Sequence, residues 1–214
     1  MVCFARLYRE VTESVAADVG TGTFVAATFL DRLDVVFADL FFAAVDSPAT
    51  IPSAWKPLFA DRARRGIAPL QFALAGMNAH INRDLPVAIV TTCEERGVEP
   101  RRDSPEHADF ERVNVVLAQV EAKVKAAYMT GFVADVDRIL HRIDRLDDIL
   151  AMWNVRVARD AAWTNAETLW SIRDDADLRG DFLATLDRTV GLAGRGLLVP
   201  ADTWLRRLAR KLHA

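Results

Sequence analysis

The chain has 214 residues, of which 51% are hydrophobic, and this is enough for one well-packed core. Its 27 basic and 30 acidic residues leave a formal net charge of -3. That balance gives no electrostatic reason to expect nucleic acid or an anionic membrane as a partner. The two cysteines are too few for a disulfide framework and favour a reducing cytoplasm.

The N-terminal residues lack the basic region and apolar stretch of a secretory signal. The most apolar window, residues 24–45, contains Asp31, Arg32, Asp34 and Asp39. A helix that crosses a lipid bilayer does not tolerate four charges at low cost. We therefore predict a cytoplasmic protein without a membrane partner.

Apolar residues recur at helical spacing along most of the chain, and no strand-like alternation is present. The predicted helices cover residues 4–19, 23–45, 53–65, 68–95, 104–129, 136–170, 177–193 and 203–212. Thr21 or Thr23 is a candidate cap for the second helix, and Ser104 caps the helix that Pro105 begins. The prediction is an all-α, single-domain helical bundle over residues 1–214, with about seven or eight helices and a long Pro-kinked central helix.

Apolar residues from Val136 to Val157 alternate steps of three and four, which is the seam of a bundle or coiled coil. Such a seam either packs within the bundle or contacts a partner helix or a second copy of the chain. A homodimer is therefore one possible assembly.

The predicted helix 68–95 contains the most unusual stretch, in which two pairs of polar residues border an apolar face. Asn78 and Asn82 are stacked at i, i+4 along one border, and His80 and Asp84 along the other. An unpaired polar group costs about 1–3 kcal/mol when buried, so each pair needs partners. Pro86 cannot donate to the carbonyl of Asn82 and should kink the helix there.

Two interpretations of these pairs remain open. In the first, Asp84 orients His80, which acts as general acid or base, while Asn78 and Asn82 donate hydrogen bonds to a carbonyl or hydroxyl of a ligand. In the second, all four side chains form a buried network that fastens neighbouring helices.

A metal site is a further alternative, because histidine and aspartate at i, i+4 can bind one ion. A zinc site usually needs three or four protein ligands, so His80 and Asp84 alone are not sufficient. His107 lies in the first turn of its predicted helix, and His141 lies outside the apolar seam. We therefore rank acid–base chemistry above metal binding.

Four further residues are candidate ligand-binding residues: Asp109, Asn114, Arg159 and Trp163. Asp109 and Asn114 border the apolar stripe of helix 104–129, although a border charge such as Asp109 more often pairs with an arginine. Arg159 and Trp163 are at i, i+4 and could stack. We also consider an ion pair of Arg159 with Asp84 or Asp109.

Three segments resemble an uncharacterised helical family, a domain of unknown function known mainly from actinobacteria and other bacteria. The segments are Ala75–Pro86, which carries a GMNAHIN-DLP-type motif, Ala108–Asn114 and Ala158–Trp163. The resemblance covers about residues 52–170. It implies that the three polar clusters belong to one unit, and it implies no activity.

The sequence thus favours an enzyme that needs no cofactor and acts on a small, largely apolar metabolite by cyclisation, isomerisation or hydrolysis. The site would lie in a pocket beside the kinked helix, with His80 and Asp84 as the acid–base pair. No nucleophile motif, phosphate loop or dinucleotide fingerprint is present. The alternatives are a non-catalytic ligand-binding or helix-interaction protein and a metal-dependent hydrolase.

Overall fold

The regular structure of the chain is helical wherever the computed structural model describes it, namely in residues 2–19, 24–47, 50–118 and 154–200. The helices are α1 (Val2–Val19), α2 (Ala27–Asp46), α3 (Lys56–Ala60), α4 (Pro69–Ala79), α5 (Leu85–Arg96), α6 (105–118), α7 (Val155–Ser171) and α8 (Ala176–Leu197). A π-helical segment, His80–Asp84, joins α4 to α5. The predicted all-α bundle is confirmed.

The central element is the continuous run of α4, the π segment and α5, from Pro69 to Arg96, and α1, α2, α7 and α8 pack around it. Just before Pro86, where the sequence predicts a kink, the structure has the π segment. The N–H of Leu85 donates to the carbonyl of His80, five residues back, so the helix gains one residue in this turn. Pro86 then stands in the first turn of α5, where no N–H is required.

The core consists of two apolar clusters on either side of the π segment. One cluster lies between α2, α5, α6 and α7 and includes Ile89, Phe110 and Trp163. The other lies between α1, α2, α3, α4 and α8 and includes Phe41 and Trp55. The residues of the π segment therefore sit where the two clusters meet.

The observed helix boundaries agree only in part with those predicted from the sequence. Ser104 Oγ accepts a hydrogen bond from the His107 N–H at 3.1 Å, so the predicted cap of α6 is confirmed. The third helix is shorter than the predicted 53–65 and ends at Ala60. Thr21 and Thr23, the predicted caps of α2, lie outside the described residues.

Most of the predicted seam, residues 136–153, lies outside the described part of the chain. The predicted helix 203–212 lies outside it as well. The α7 helix begins at Val155, because the Asn154 side chain accepts a hydrogen bond from the Val157 N–H at 3.1 Å. In α7, Val157 is 64% exposed. Val157 therefore does not pack within the bundle, and the alternative in which the seam contacts a partner helix or a second copy stays a prediction.

No helix in the described ranges is long and apolar enough to cross a lipid bilayer. The longest of them, α8, instead packs closely against the segment that leads into α3. A Cβ added at Gly191 would overlap the backbone carbonyl of Ser53, whereas one added at Gly180 would meet nothing. Glycine at position 191 is thus what permits the close approach.

We predict that Gly191→Ala lowers the free energy of unfolding by about 1–3 kcal/mol, because the backbone of the facing segment must move. Gly180→Ala, in the same helix, should raise it by about 0.5–1 kcal/mol through helix propensity. Urea unfolding of both variants tests the pair. Equal effects of the two substitutions would contradict the packing described for α8.

Candidate functional site

The π segment presents His80 and Asp84 to the same side of the central helix, and both are buried, with exposures of 2% and 0%. The His80 Nδ1 atom lies 3.1 Å from Asp84 Oδ2. Because a carboxylate accepts and does not donate, Nδ1 carries the proton in this pair. Nε2 of the neutral ring is then left as a hydrogen-bond acceptor.

Asp84 has two further donors besides His80. The Trp55 indole N–H donates to Oδ2 at 2.9 Å, and the Arg83 guanidinium donates to Oδ1 at 2.8 Å. Arg83 also lies 3.7 Å from Asp187 Oδ1, at the surface of α8. The buried carboxylate is thus fully partnered and fixes the orientation of the imidazole.

Five aromatic rings surround the His80 imidazole, and we call them the aromatic shell: Phe4, Tyr8, Phe37, Phe41 and Trp55. Phe37 stacks face to face on the imidazole, with centroids 3.5 Å apart and planes 6° apart. Tyr8 approaches edge-on at 4.9 Å. Helices α1, α2 and α3 each contribute to this shell, so His80 lies in a strongly apolar environment.

Burial lowers the pKa of His80 below its ordinary value of 6.5, and the bond to Asp84 opposes this shift only in part. His80 Nε2 is buried and has no hydrogen-bond partner. The hydroxyls of Tyr8 and Thr12, one turn apart on α1, are also buried, and they have no hydrogen-bond partner other than each other. Burial, and next the negative charge of Asp34, raise the pKa of Tyr8, so its hydroxyl remains a proton donor.

The two asparagines face another neighbour. Asn78 Nδ2 donates to the carbonyl of Val190 in α8 at 3.0 Å, and Asn82 Nδ2 donates to Asn78 Oδ1 at 3.2 Å. Neither forms a hydrogen bond with His80 or Asp84. These hydrogen bonds join α4 to α8. The two asparagines therefore contribute to helix packing and are not placed beside the imidazole.

Asp109 also lies apart from His80. Its Oδ2 accepts a hydrogen bond from the Ala26 N–H at the start of α2, and its Oδ1 accepts one from Arg112 at 2.7 Å. Asp109 thus pairs with an arginine, the alternative that the sequence favoured. The carboxylate provides the cap that no side chain of α2 supplies.

Arg159 forms neither of the ion pairs considered from the sequence. Its Nε donates to Asn114 Oδ1 and its Nη2 to the carbonyl of Phe110, both at 2.7 Å. The guanidinium carbon lies 3.8 Å from the centroid of the Phe110 ring, so Arg159 stacks on Phe110 and not on Trp163. Arg159, Asn114 and Trp163 thus form a second polar cluster, between α6 and α7.

Comparison with protein families gives one match. The model of a family of unknown function, DUF5995, matches residues 1–200. The chain belongs to this family. Comparisons with curated proteins and with solved structures found no match. The predicted membership of an uncharacterised family is confirmed, and the match extends beyond residues 52–170 in both directions.

In this DUF5995 chain, the described residues contain no group of three histidine, cysteine, aspartate or glutamate side chains that could hold a metal ion. His107 is half-buried, with its ring 4.7 Å from that of Trp163, and is therefore far from a typical surface residue. His141 lies outside the described residues.

Sequence reasoning missed Tyr8 and Trp55 as members of the site. In the sequence, Tyr8 falls on the apolar face of the predicted helix 4–19 and Trp55 on that of the predicted helix 53–65, positions that indicate core packing only. A signal for Trp55 exists in hindsight, because a buried indole N–H needs an acceptor and Asp84 is a buried carboxylate. No comparable signal identifies Tyr8, since its distance from His80 depends on how α1 packs.

Proposed function

We propose that the chain is an enzyme that needs no cofactor and uses His80 as general base on a small, largely apolar molecule. One observation carries the proposal, namely that Nε2 is buried without a partner while Nδ1 and both Asp84 oxygens are hydrogen-bonded. A buried acceptor left unpaired costs about 1–3 kcal/mol. A ligand proton at Nε2 would recover that energy.

The geometry favours proton transfer within the substrate, that is isomerisation or cyclisation, over hydrolysis. A bound hydrolytic water needs two to four polar partners, whereas the neighbours of the imidazole ring are mostly aromatic rings. In the proposed step, neutral His80 removes a proton from carbon next to a carbonyl group. Asp84 stabilises the imidazolium that forms, and the proton then returns to a different carbon.

Tyr8 fits the role of hydrogen-bond donor to the carbonyl oxygen as negative charge develops there. Its buried hydroxyl has no partner other than Thr12, its ring is 4.9 Å from the imidazole, and its raised pKa keeps the proton on oxygen. Oxygen stabilisation by Tyr8 and proton removal by His80 would then act on the same molecule.

Helix α1 is the wall of the site best suited to move and admit a ligand. In the described residues, no side-chain hydrogen bond or ion pair joins α1 to another element, and the side-chain bonds of this helix, such as Ser14–Glu10 and Arg9–Glu13, lie within it. Its contacts with the central helix are apolar, and the Phe4 ring lies directly against Gly76. Apolar contacts lack directional bonds that would have to break when the helix moves.

A non-catalytic packing role is the second candidate, and the face-to-face stacking of Phe37 on His80 favours it. In that role the imidazole only joins α2 to the central helix. The two candidates differ in one testable respect, because only a site takes up a ligand at Nε2. The cytoplasm remains the proposed location of the reaction.

We predict that phenol, a planar molecule with one hydroxyl, binds to the native protein and shifts the His80 ring resonances in NMR spectra. His80→Gln should abolish binding, whereas His107→Gln, which removes a histidine of α6, should not. If phenol and other planar fragments leave the His80 signals unchanged, the packing role is favoured.

Catalysis itself can be tested without knowledge of the natural substrate. Cyclohexanone in D2O should exchange the hydrogens next to its carbonyl faster in the presence of the protein, as followed by proton NMR. A positioned general base contributes about 10²–10⁴-fold to such a step, and His80→Gln should remove that part. Tyr8→Phe should lower the rate while the fold stays intact. Exchange at the buffer rate with the native protein contradicts the catalytic proposal.

A further inference from the structure

We propose that the cluster of Arg159, Asn114 and Trp163 between α6 and α7 binds a small monocarboxylate. This site is separate from His80 and does not depend on the function proposed above. It concerns a cationic side chain in the protein interior and two hydrogen-bond donors that have no acceptor.

Arg159 is only 8% exposed, and no carboxylate of the described residues lies within ion-pair distance of its guanidinium. Its bonds to Asn114 and to the Phe110 carbonyl come from Nε and Nη2 and leave Nη1 without an acceptor in the same part of the chain. Both acceptors are neutral. Burial lowers the pKa of Arg159 to about 10, which reflects the cost of keeping this charge out of water.

Buried cations in proteins are normally paired, because an uncompensated charge is strongly destabilising. Glu111 acts on Arg159 only from beyond ion-pair distance, so an anion that binds from solution would supply the charge in direct contact. Arginine suits a carboxylate best, since its planar N–H groups match the two oxygens.

Two buried donors beside the guanidinium also lack partners. Asn114 accepts from Arg159 through Oδ1, so its Nδ2 is held close to the guanidinium, and this Nδ2 is unpartnered. The Trp163 indole N–H is unpartnered as well. Trp163 is one helical turn from Arg159, and its ring lies 4.9 Å from the Phe110 ring on which Arg159 stacks. The Arg159 guanidinium, the Asn114 amide and the Trp163 indole N–H are therefore grouped around the Phe110 ring.

The negative charge of Glu111 determines how many charges the bound anion can carry. Its carboxylate acts on Arg159 through space, and its Oε1 is buried without a partner. Because this negative charge is close, a dianion such as phosphate would be repelled more strongly than a monocarboxylate. The rings of Phe110, Trp163 and His107 provide an apolar surface for the rest of the acid.

The test is a titration of the full chain with sodium benzoate, with sodium phosphate and sodium chloride at equal ionic strength as comparisons. The readout is the indole N–H resonance of Trp163, identified by its loss in Trp163→Phe. We expect benzoate to move this resonance in a saturable manner and phosphate and chloride to leave it unchanged. A shift with all three salts would show a non-specific ionic effect and overturn the proposal.

Arg159→Met should weaken benzoate binding by roughly ten- to hundredfold, as expected for loss of a charge-assisted hydrogen bond. The control is Arg188→Gln, which removes an exposed arginine of α8 whose side chain bonds Thr185, far from this cluster in the fold, and it should leave the affinity unchanged. Equal losses in the two variants would mean that only the net charge matters.

Asn114→Asp keeps the proposal testable if Arg159→Met does not fold. This nearly isosteric change places a carboxylate on the guanidinium, at the position of the present 2.7 Å bond. We expect the variant to unfold at a higher temperature than the native chain and to lose its response to benzoate. Benzoate binding that persists in Asn114→Asp places the ligand elsewhere and contradicts this site.

Discussion

Asp84→Ala should lower the free energy of unfolding by about 3–5 kcal/mol, the usual cost of removing one partner from a buried charge pair. Asp84 accepts hydrogen bonds from three side chains that come from different positions of the fold: His80, Arg83 and Trp55. The imidazole and the indole would lose their only acceptor at once, and Arg83 would keep only its longer contact with Asp187. The indole and the imidazole are buried and would find no water in exchange.

The control for this prediction is Asp103→Ala, which breaks an equally short pair with Arg101 at the surface. Exposed ion pairs contribute about 0–1 kcal/mol, so this change should have little effect. Asp84→Asn is a second comparison, since it retains an oxygen for Trp55 but no charge for Arg83. Urea unfolding of the three variants measures the differences. If Asp84→Ala and Asp103→Ala lower the free energy of unfolding by similar amounts, the buried hydrogen bonds of Asp84 add nothing to stability.

The pairing of His80 with Asp84 was predictable from the sequence, but the side chains that surround this pair were not. Helical periodicity places His80 and Asp84 on one border of a long helix, and their contact follows from the spacing of four residues. Pro86 indicates an irregular turn. It does not specify that the helix inserts a residue and forms a π segment, because that depends on how α4 and α5 each pack against other helices.

The aromatic shell could not be derived from periodicity, because its rings come from three helices far apart in the chain. Phe37 belongs to an apolar stripe that fits any helical bundle, and nothing local distinguishes the ring that stacks on His80. The same limit explains why one site was expected where the structure has two clusters. Arg159 lies closer to Asn114 than to Asp84, and only the packing of α6 on α7 determines this.

Lowering the pH below about 6.5 should destabilise the native chain through His80. Burial lowers the pKa of this imidazole in the folded state, so below 6.5 the unfolded chain binds a proton that the folded chain does not. The stabilising contribution of neutral His80 is therefore complete above 6.5 and is lost as the pH falls towards the folded pKa. One proton limits the slope to about 1.4 kcal/mol per pH unit.

His80→Phe isolates this effect, because phenylalanine fits an aromatic surrounding and does not titrate, while Asp84 retains Trp55 and Arg83. Burial raises the pKa of Asp34, so this group makes the folded state more stable as the pH falls. Asp34 is present in both chains, and its contribution therefore cancels when their free energies of unfolding are compared. Urea unfolding at intervals between pH 7.5 and 5 should show the native chain losing stability relative to His80→Phe as the pH falls. Parallel curves would mean that His80 is protonated in the folded state as readily as in the unfolded chain. His80 would then not be held in the apolar, water-excluding environment that the proposed site requires, although an imidazole with an ordinary pKa can still act as a base.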